Sequence, residues 1–189
     1  GNPNLAPEKT VGLQTTLLRE GITTTFEVTA FSTRIEDYIE RFEMTDELRA
    51  YRNIGSGELW GLDGQLVWRN RAFTQRLSWQ WQKGTSASGA TLADLAPPSL
   101  RYNGTWESSR YSLGLDVRYQ ASQDTVGPGE NPLNSALIVS ASALWKFSEK
   151  WHSEISVTNG LDRGYRVSAD DDAPLSVGRA VTFTLLWQP

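Results

Sequence analysis

The apolar residues of this sequence recur at every second position, and this alternation constrains the fold more than any other feature. Leu113, Leu115 and Val117 alternate with Gly114 and Asp116. The same phase runs through four further segments, at residues 77–82, 137–147, 155–158 and 181–185. Strict alternation gives a strand one apolar and one polar face, because successive side chains point to opposite sides. The sequence therefore predicts an all-β fold.

The alternating segments and the breaks between them predict about nine strands. We place these strands at residues 8–18, 22–37, 52–69, 72–83, 99–107, 110–121, 135–147, 151–160 and 179–187. The third of these is the least regular, because glycines at 55, 57, 61 and 64 weaken a strand or mark bends. A weak helical pattern from Met44 to Tyr51 is too short to define a helix. With no linker to divide the chain, the prediction is one antiparallel up-and-down meander.

The connections between the predicted strands alternate in length. Those at residues 19–21, 69–71, 107–110 and 148–150 are tight, and those at 38–51, 84–98, 122–134 and 161–178 are long. In a meander, alternate connections lie at the same end of the sheet, so all tight turns share one end. Transmembrane β-barrels of the outer membrane have this asymmetry.

Aromatic and charged residues agree with a membrane barrel. Tryptophans gather beside the tight turns, as an interfacial girdle would require: Trp68, Trp106, Trp145, Trp151 and Trp187. The polar phase carries charges in mid-strand, so water should bathe that face: Glu27, Asp63, Arg76, Asp116, Arg118 and Glu154. From the residues alone, a soluble carbohydrate-binding β-sandwich remains the alternative, with the eight tryptophans as stacking platforms.

The two faces predict different responses to a new charge. An arginine at Leu115 or Val117 should destabilise a barrel, because these positions would face lipid. An arginine at Gln120 should do little, because that position would face the water-filled interior.

Composition excludes several classes of function. Eighteen basic and 22 acidic residues give a net charge of −4, which argues against nucleic-acid binding. The sequence has no cysteine, and its one histidine, His152, stands beside Ser153 and Glu154. Neighbours on a strand point to opposite faces, so these residues make a poor catalytic relay. We predict that the protein is not an enzyme and needs no cofactor.

Residues 1–8 read GNPNLAPE, and residues 157–165 read VTNGLDRGY. Together with three further segments, and in chain order, they resemble the C-terminal barrel of a TonB-dependent outer-membrane receptor, of the siderophore and haem receptor family. Residues 1–8 (GNPNLAPE) are similar to that family's GNPxLxPE segment, and residues 157–165 (VTNGLDRGY) to its VxNLxDxxY signature. Departures from the family pattern include Asp63, Gly160 and Val177, where Glu, Leu and Pro are usual. The other matching segments are residues 30–39, 51–63 and 177–179.

The resemblance implies that residues 1–189 are the C-terminal segment of a barrel of about 22 strands. The plug domain and the N-terminal strands would be absent from this segment. It also implies a transporter in the outer membrane of a Gram-negative bacterium, in contact with lipid, driven by the TonB complex through the missing N-terminal part. A ferric siderophore is the expected ligand. Haem is the alternative, because residues 2–5 (NPNL) resemble a box of haem receptors.

Aromatic residues in the long loops are the candidate ligand-binding residues: Tyr38, Phe42, Tyr51 and Tyr165. The loops are acidic, which would not favour a strongly anionic ligand, although arginines share them. Asp170, Asp171 and Asp172 could attract a cation. No EF-hand pattern frames them, so we interpret them as a solvated loop and predict no metal site. One Met and one His argue against copper in this segment.

Overall fold

The computed structural model describes residues 2–45 and 48–187, without the side chains of residues 41–49. This part of the chain forms strands and connections, and none of its residues is helical. No helix there is long and apolar enough to cross a membrane. The strands are β1 (Lys9–Glu20), β2 (Thr24–Glu36), β3 (Ile39–Thr45), β4 (Leu48–Asn53), β5 (Ser56–Asn70), β6 (Phe73–Ser86), β7 (Ser99–Glu107), β8 (Tyr111–Gln120), β9 (Ala136–Lys146), β10 (Trp151–Thr158) and β11 (Ala180–Trp187).

Nine of these strands form a single antiparallel sheet in the order β1-β2-β5-β6-β7-β8-β9-β10-β11. The sheet is an up-and-down meander, so the all-β prediction of about nine strands is confirmed. The sheet does not close on itself into a barrel within this segment. The β-sandwich alternative is wrong, because the described strands make one large sheet rather than two that pack face to face.

The connection between β2 and β5 holds a feature that the sequence did not predict. There β3 and β4 pair as a separate antiparallel hairpin. The weak helical pattern from Met44 to Tyr51 forms no helix where it can be compared, because residues 44–45 and 48–51 are extended. Residues 46 and 47 lie outside the described part. The hairpin continues past the loop end of the main sheet, opposite the tight turns.

The register keeps the two phases of the alternation on two faces of the sheet. Leu66 lies directly opposite Phe26 on one side and Leu77 on the other. On this apolar face, Leu13 is 73% exposed and Phe183 is 68% exposed in the isolated chain. The polar face carries the other phase, where Gln65 Nε2 donates a hydrogen bond to Glu27 Oε2 at 2.8 Å. A sheet that exposes its apolar side chains this extensively fits a barrel wall that faces lipid.

Aromatic rings mark both ends of the apolar face. At the short-turn end, Trp151 lies opposite Trp187, with ring centroids 6.5 Å apart, and Trp145 stacks on Tyr111 at 6.4 Å. At the loop end, Trp60 and Trp81 make an edge-to-face pair at 4.8 Å, and Tyr119 follows the same phase of β8. Two aromatic bands with aliphatic side chains between them match the two interfaces of a bilayer.

The glycines of β5 admit large side chains rather than interrupting the strand, which at 15 residues is the longest in the sheet. A Cβ on Gly61 would lie 2.6 Å from Phe31 Cζ, and one on Gly64 would lie 2.5 Å from Trp79 Cζ2. Neither position could hold a larger residue without moving a ring. Within β5 the expected irregularity is therefore absent, because Gly57, Gly61 and Gly64 are points of close packing. Gly55, with φ at +91°, does mark a bend, at the break between β4 and β5.

Candidate functional site

Three long loops turn back over the polar face at the loop end of the sheet. We call residues 87–98, 121–135 and 159–179 together the loop cap. Leu92 is only 3% exposed, and it packs on Gly57 and Gly84, where an added Cβ would lie 3.1 and 3.0 Å from Leu92 Cδ1. Leu133 and Ala169 are also buried. The buried apolar residues of the chain thus lie mainly beneath these loops, because both faces of a single-layer sheet stay open elsewhere.

Glu130 joins the first two loops of the cap. Its carboxylate accepts a hydrogen bond from Asp94 N at 2.7 Å and another from Gly127 N at 2.7 Å. Gly127 also lies against the backbone of Ala93, where an added Cβ would come within 2.5 Å of two backbone atoms. A carboxylate that accepts two backbone N–H groups makes charge-assisted bonds. Backbone contact and carboxylate together hold these loops against each other.

Two buried amides fix the third loop. Asn159 is 4% exposed, and its side chain bonds to both N and O of Arg163 and to Val177 O. Gln120 is fully buried, and its Nε2 donates to Arg166 O at 2.9 Å. The expectation that an arginine at Gln120 does little is therefore wrong. The residue belongs to the polar phase of β8, but the loop cap covers it.

Tyr38 stands where acidic groups from several segments meet. Burial raises the pKa of its phenol above the ordinary value of 10.0, and the carboxylates of Asp94, Glu8, Glu40 and Glu130 raise this pKa further. Burial disfavours the phenolate because it removes water, and nearby negative charge disfavours it by repulsion. Tyr38 is therefore a neutral hydrogen-bonding group at physiological pH.

A second cluster lies on the polar face beneath the third loop. Arg101 and Arg118 are directly opposite each other on β7 and β8. Asp116 Oδ2 accepts from Arg101 Nε at 2.7 Å and also from Asn103 Nδ2. The two arginines border a cavity of about 520 Å³ that Tyr165 and Val177 also line. Arg118 also borders a neighbouring depression of about 590 Å³ over β2, β5 and β6.

The four candidate aromatic residues do not form one group. Tyr38 lies at the base of the β3–β4 hairpin, where Tyr38 N donates to Gly55 O at 3.0 Å. Tyr51 is in β4 and 48% exposed, and Phe42 is in β3, with its side chain outside the described part. Tyr165 alone borders the cavity beside the arginines. Their role in ligand binding stays a prediction.

Arg101 was missed as a site residue in the sequence, although the signal was present. The tight turn at residues 108–110 sets the register of β7 against β8, and that register places residue 101 opposite residue 118. Two cations opposite each other on one face are unfavourable unless an anion accompanies them. Counting back from the turn would have shown this pair.

The structure changes little in the interpretation of the acidic loop residues and of His152. The carboxylates of Asp170, Asp171 and Asp172 lie within 4.8 Å of one another, and Asp170 Oδ1 accepts a hydrogen bond from Asp172 N. Such a turn is common in exposed acidic loops. His152 and Ser153 follow opposite phases of β10, opposite Leu186 and Leu185. This alternation agrees with the prediction that they make a poor catalytic relay.

Comparison with known proteins now identifies the class of this sheet. The family model described as "TonB dependent receptor-like, beta-barrel" matches residues 1–162. The chain belongs to the TonB-dependent receptor family. Members of this family are β-barrel proteins of the outer membrane in Gram-negative bacteria, and they are transporters rather than enzymes. The resemblance seen in the sequence, the outer-membrane location and the non-enzymatic class are thus confirmed. None of the curated proteins matches the sequence significantly.

Solved structures of TonB-dependent receptors share the fold. The copper transporter OprC superposes with a TM-score of 0.86 at 16% identity, over 98% of this chain and 32% of OprC. The pyoverdine receptor FpvA from Pseudomonas aeruginosa gives 0.80 at 14%, over 97% and 30%. The ferric-catecholate import receptor Fiu from E. coli gives 0.77 at 16%, over 98% and 28%. The chain thus spans about a third of the length of these receptors.

Proposed function

We propose that the protein is a TonB-dependent transporter that binds a ferric siderophore at its extracellular loops and imports it with energy delivered through TonB. In this proposal, residues 1–189 form the C-terminal segment of the barrel. Its partners would be the TonB complex, reached through the N-terminal part, and outer-membrane lipid against the apolar face. Two solved relatives support the ligand class, since Fiu is a ferric-catecholate import receptor and FpvA is bound to pyoverdine.

The observation that carries the proposal is the position of the loop cap. The long loops fold over the polar face, and beneath them lies a cavity of about 520 Å³ bordered by Tyr165. A cavity of this size suits a small-molecule ligand. A solute that enters from the loop end would meet Tyr38 and Tyr51 at the hairpin, then Tyr165 beneath the loops.

Uptake by whole cells tests this function. The full-length receptor would be expressed in a Gram-negative host without its own siderophore receptors, and iron-55 uptake measured with a ferric catecholate, a ferric hydroxamate and haemin. We expect uptake of one of the siderophores, and its loss in a host that lacks TonB. Uptake that persists without TonB would refute the mechanism. Uptake of haemin alone would replace the siderophore by the haem alternative.

Substitution of the loop aromatics locates the ligand. Tyr165→Ala should raise the half-saturating ligand concentration several-fold, because the ring borders the cavity. Tyr111→Ala is the matched control, since Tyr111 is 46% exposed at the short-turn end of the apolar face. Equal effects of the two variants on half-saturation would contradict a ligand site beneath the loops.

A further inference from the structure

The loops are rich in acidic residues, but this composition does not show which charged side chains lack a partner. The Glu130 carboxylate caps two backbone N–H groups, and Glu40 pairs with Arg52 at 3.4 Å. Asp162 accepts from Arg179 N at 2.8 Å. These carboxylates are engaged within the protein. By contrast, the Arg118 guanidinium makes no hydrogen bond or ion pair with any residue in the described part of the chain.

The register creates an excess of positive charge beside the cavity. Side chains directly opposite in an antiparallel pair have Cβ atoms about 4.5–5.5 Å apart, so the Arg101 and Arg118 side chains start close together. Asp116 engages Arg101, and Arg118 has no ion-pair partner among the residues that the structure describes. The three side chains together carry one net positive charge. One bound anionic group would neutralise it and relieve the repulsion between the arginines.

The cavity walls indicate what accompanies the anion. Arg118 and Ser140 supply donors on one side, while Ile138, Leu175 and Tyr165 supply apolar surface. Val177 also lines the cavity, and the hydrogen bond from Asn159 Nδ2 to Val177 O holds this wall in place. Arginine binds a carboxylate through two parallel N–H groups, which gives both strength and orientation. The apolar walls would hold an aromatic or aliphatic body attached to that carboxylate.

We propose that Arg118, supported by Arg101, binds the carboxylate of a small solute with an apolar body in the cavity beneath the third loop. This inference deepens the proposed function, because it assigns an anionic chemical class to a solute that enters from the loop end. It also revises the expectation that acidic loops disfavour an anionic ligand. The carboxylates of Glu40, Glu130 and Asp162 are engaged within the protein, and the Arg118 guanidinium lies on the polar face below the third loop.

Titration calorimetry on the full-length receptor in detergent micelles tests the site without transport. Benzoate is the probe, and benzamide is its neutral counterpart of nearly equal shape. We expect wild-type receptor to bind benzoate at least tenfold more tightly than benzamide, and added salt to weaken only benzoate binding. Arg118→Gln should weaken benzoate binding about tenfold or more, whereas Arg118→Lys should retain part of it, since lysine keeps the charge without the planar fork.

Arg69→Gln is the matched control for Arg118→Gln. Arg69 is an exposed residue in the polar phase of β5 at the short-turn end, so its loss changes the net charge equally but leaves the cavity intact. Benzoate affinity should be unchanged in this variant. An equal loss in both variants would overturn the site, because it would reduce the effect to overall charge.

One other outcome also overturns the inference. Wild-type receptor that does not distinguish benzoate from benzamide has no carboxylate site. If in addition Arg118→Gln lowers the melting temperature far more than Arg69→Gln, the partner of Arg118 is an acidic side chain elsewhere in the receptor. Because the calorimetry uses neither TonB nor a siderophore, failure of iron uptake leaves this result standing, and failure here leaves iron uptake standing.

Discussion

Leu115→Arg should destabilise the receptor, because Leu115 lies midway across the apolar face. Residue 115 is four positions from Tyr111 and four from Tyr119 on β8, and these tyrosines belong to the two aromatic bands. Four residues at about 3.4 Å each, on a strand tilted by about 40°, place Leu115 roughly 10 Å inside either interface. An arginine at the bilayer midplane of a barrel costs about 2–4 kcal/mol, and one near an interface costs about 0–1 kcal/mol.

The free energy of unfolding of the full-length receptor, refolded into phospholipid vesicles and titrated with guanidinium, measures this cost. Tyr119→Arg should cost about 0–1 kcal/mol, because that position lies at the interface. Ser142→Arg is the control on the opposite face. Ser142 pairs with Gly114 at nearly the same height but in the polar phase. A cost at Ser142 equal to that at Leu115, or no dependence on depth, would refute the assignment of the faces.

The further predictions concern the loop cap and Tyr38. Gly127→Ala should speed hydrogen exchange and proteolysis of residues 87–98, because its Cβ would collide with backbone, whereas Gly164→Ala, which meets open space, should not. Asn159→Ala should cost about 2 kcal/mol or more and expose residues 160–178 to exchange, because it removes three hydrogen bonds at a buried position. The raised pKa of Tyr38 should make the free energy of unfolding fall as pH rises above about 10, since the unfolded chain loses this proton first. In a difference titration against Tyr38→Phe, Asp94→Asn should lower that pKa but leave it above the ordinary value, because burial is the larger cause. Unchanged exchange in Gly127→Ala or Asn159→Ala, or an unchanged Tyr38 pKa in Asp94→Asn, would contradict the respective assignment.

The sheet could be predicted because its signal is local. Alternation along each strand identifies a strand with two different faces, and tight turns set the register of its neighbours. The β7 strand was predicted at residues 99–107, where the structure has it, and β10 began as predicted at Trp151. Strand ends at the loops were less accurate. For example, β5 begins at Ser56 rather than residue 52, because β4 occupies Leu48–Asn53.

The loop cap could not be predicted because its contacts are distant in sequence and have no period. Leu92 meets Gly57 across 35 positions of chain, and Gln120 meets Arg166 across 46. The neighbouring sequence of either residue gives no indication that its side chain is buried. Leu92 sits in a segment rich in alanine and proline, and Gln120 continues a strand phase that is exposed elsewhere. Only the fold-back of the loops decides that both are inside.

The glycines of β5 show most clearly that local strand propensity and tertiary packing can disagree. In isolation, a strand glycine lowers β-propensity, and this led to the expectation of an irregular strand at residues 52–69. In the sheet, Gly57 receives Leu92 from a loop, Gly61 receives Phe31 and Gly64 receives Trp79. Neighbouring side chains fill the space that a larger residue would occupy at these positions, so β5 is long and continuous. Gly57, which weakens the strand on its own, therefore allows the loop cap to dock.

This docking explains how an acidic segment can present a positive site. Because Leu92 sits on β5 and β6, the loop bearing Asp94 comes within reach of Glu130, whose carboxylate then accepts hydrogen bonds from two backbone N–H groups. The third loop, held by Asn159 and Gln120, covers β8 and β9 without placing a carboxylate on Arg118. The net charge of the segment includes every ionised side chain equally. A ligand interacts mainly with those side chains that have no partner within the fold. The sign of the site therefore follows from the contacts of the loops rather than from their composition.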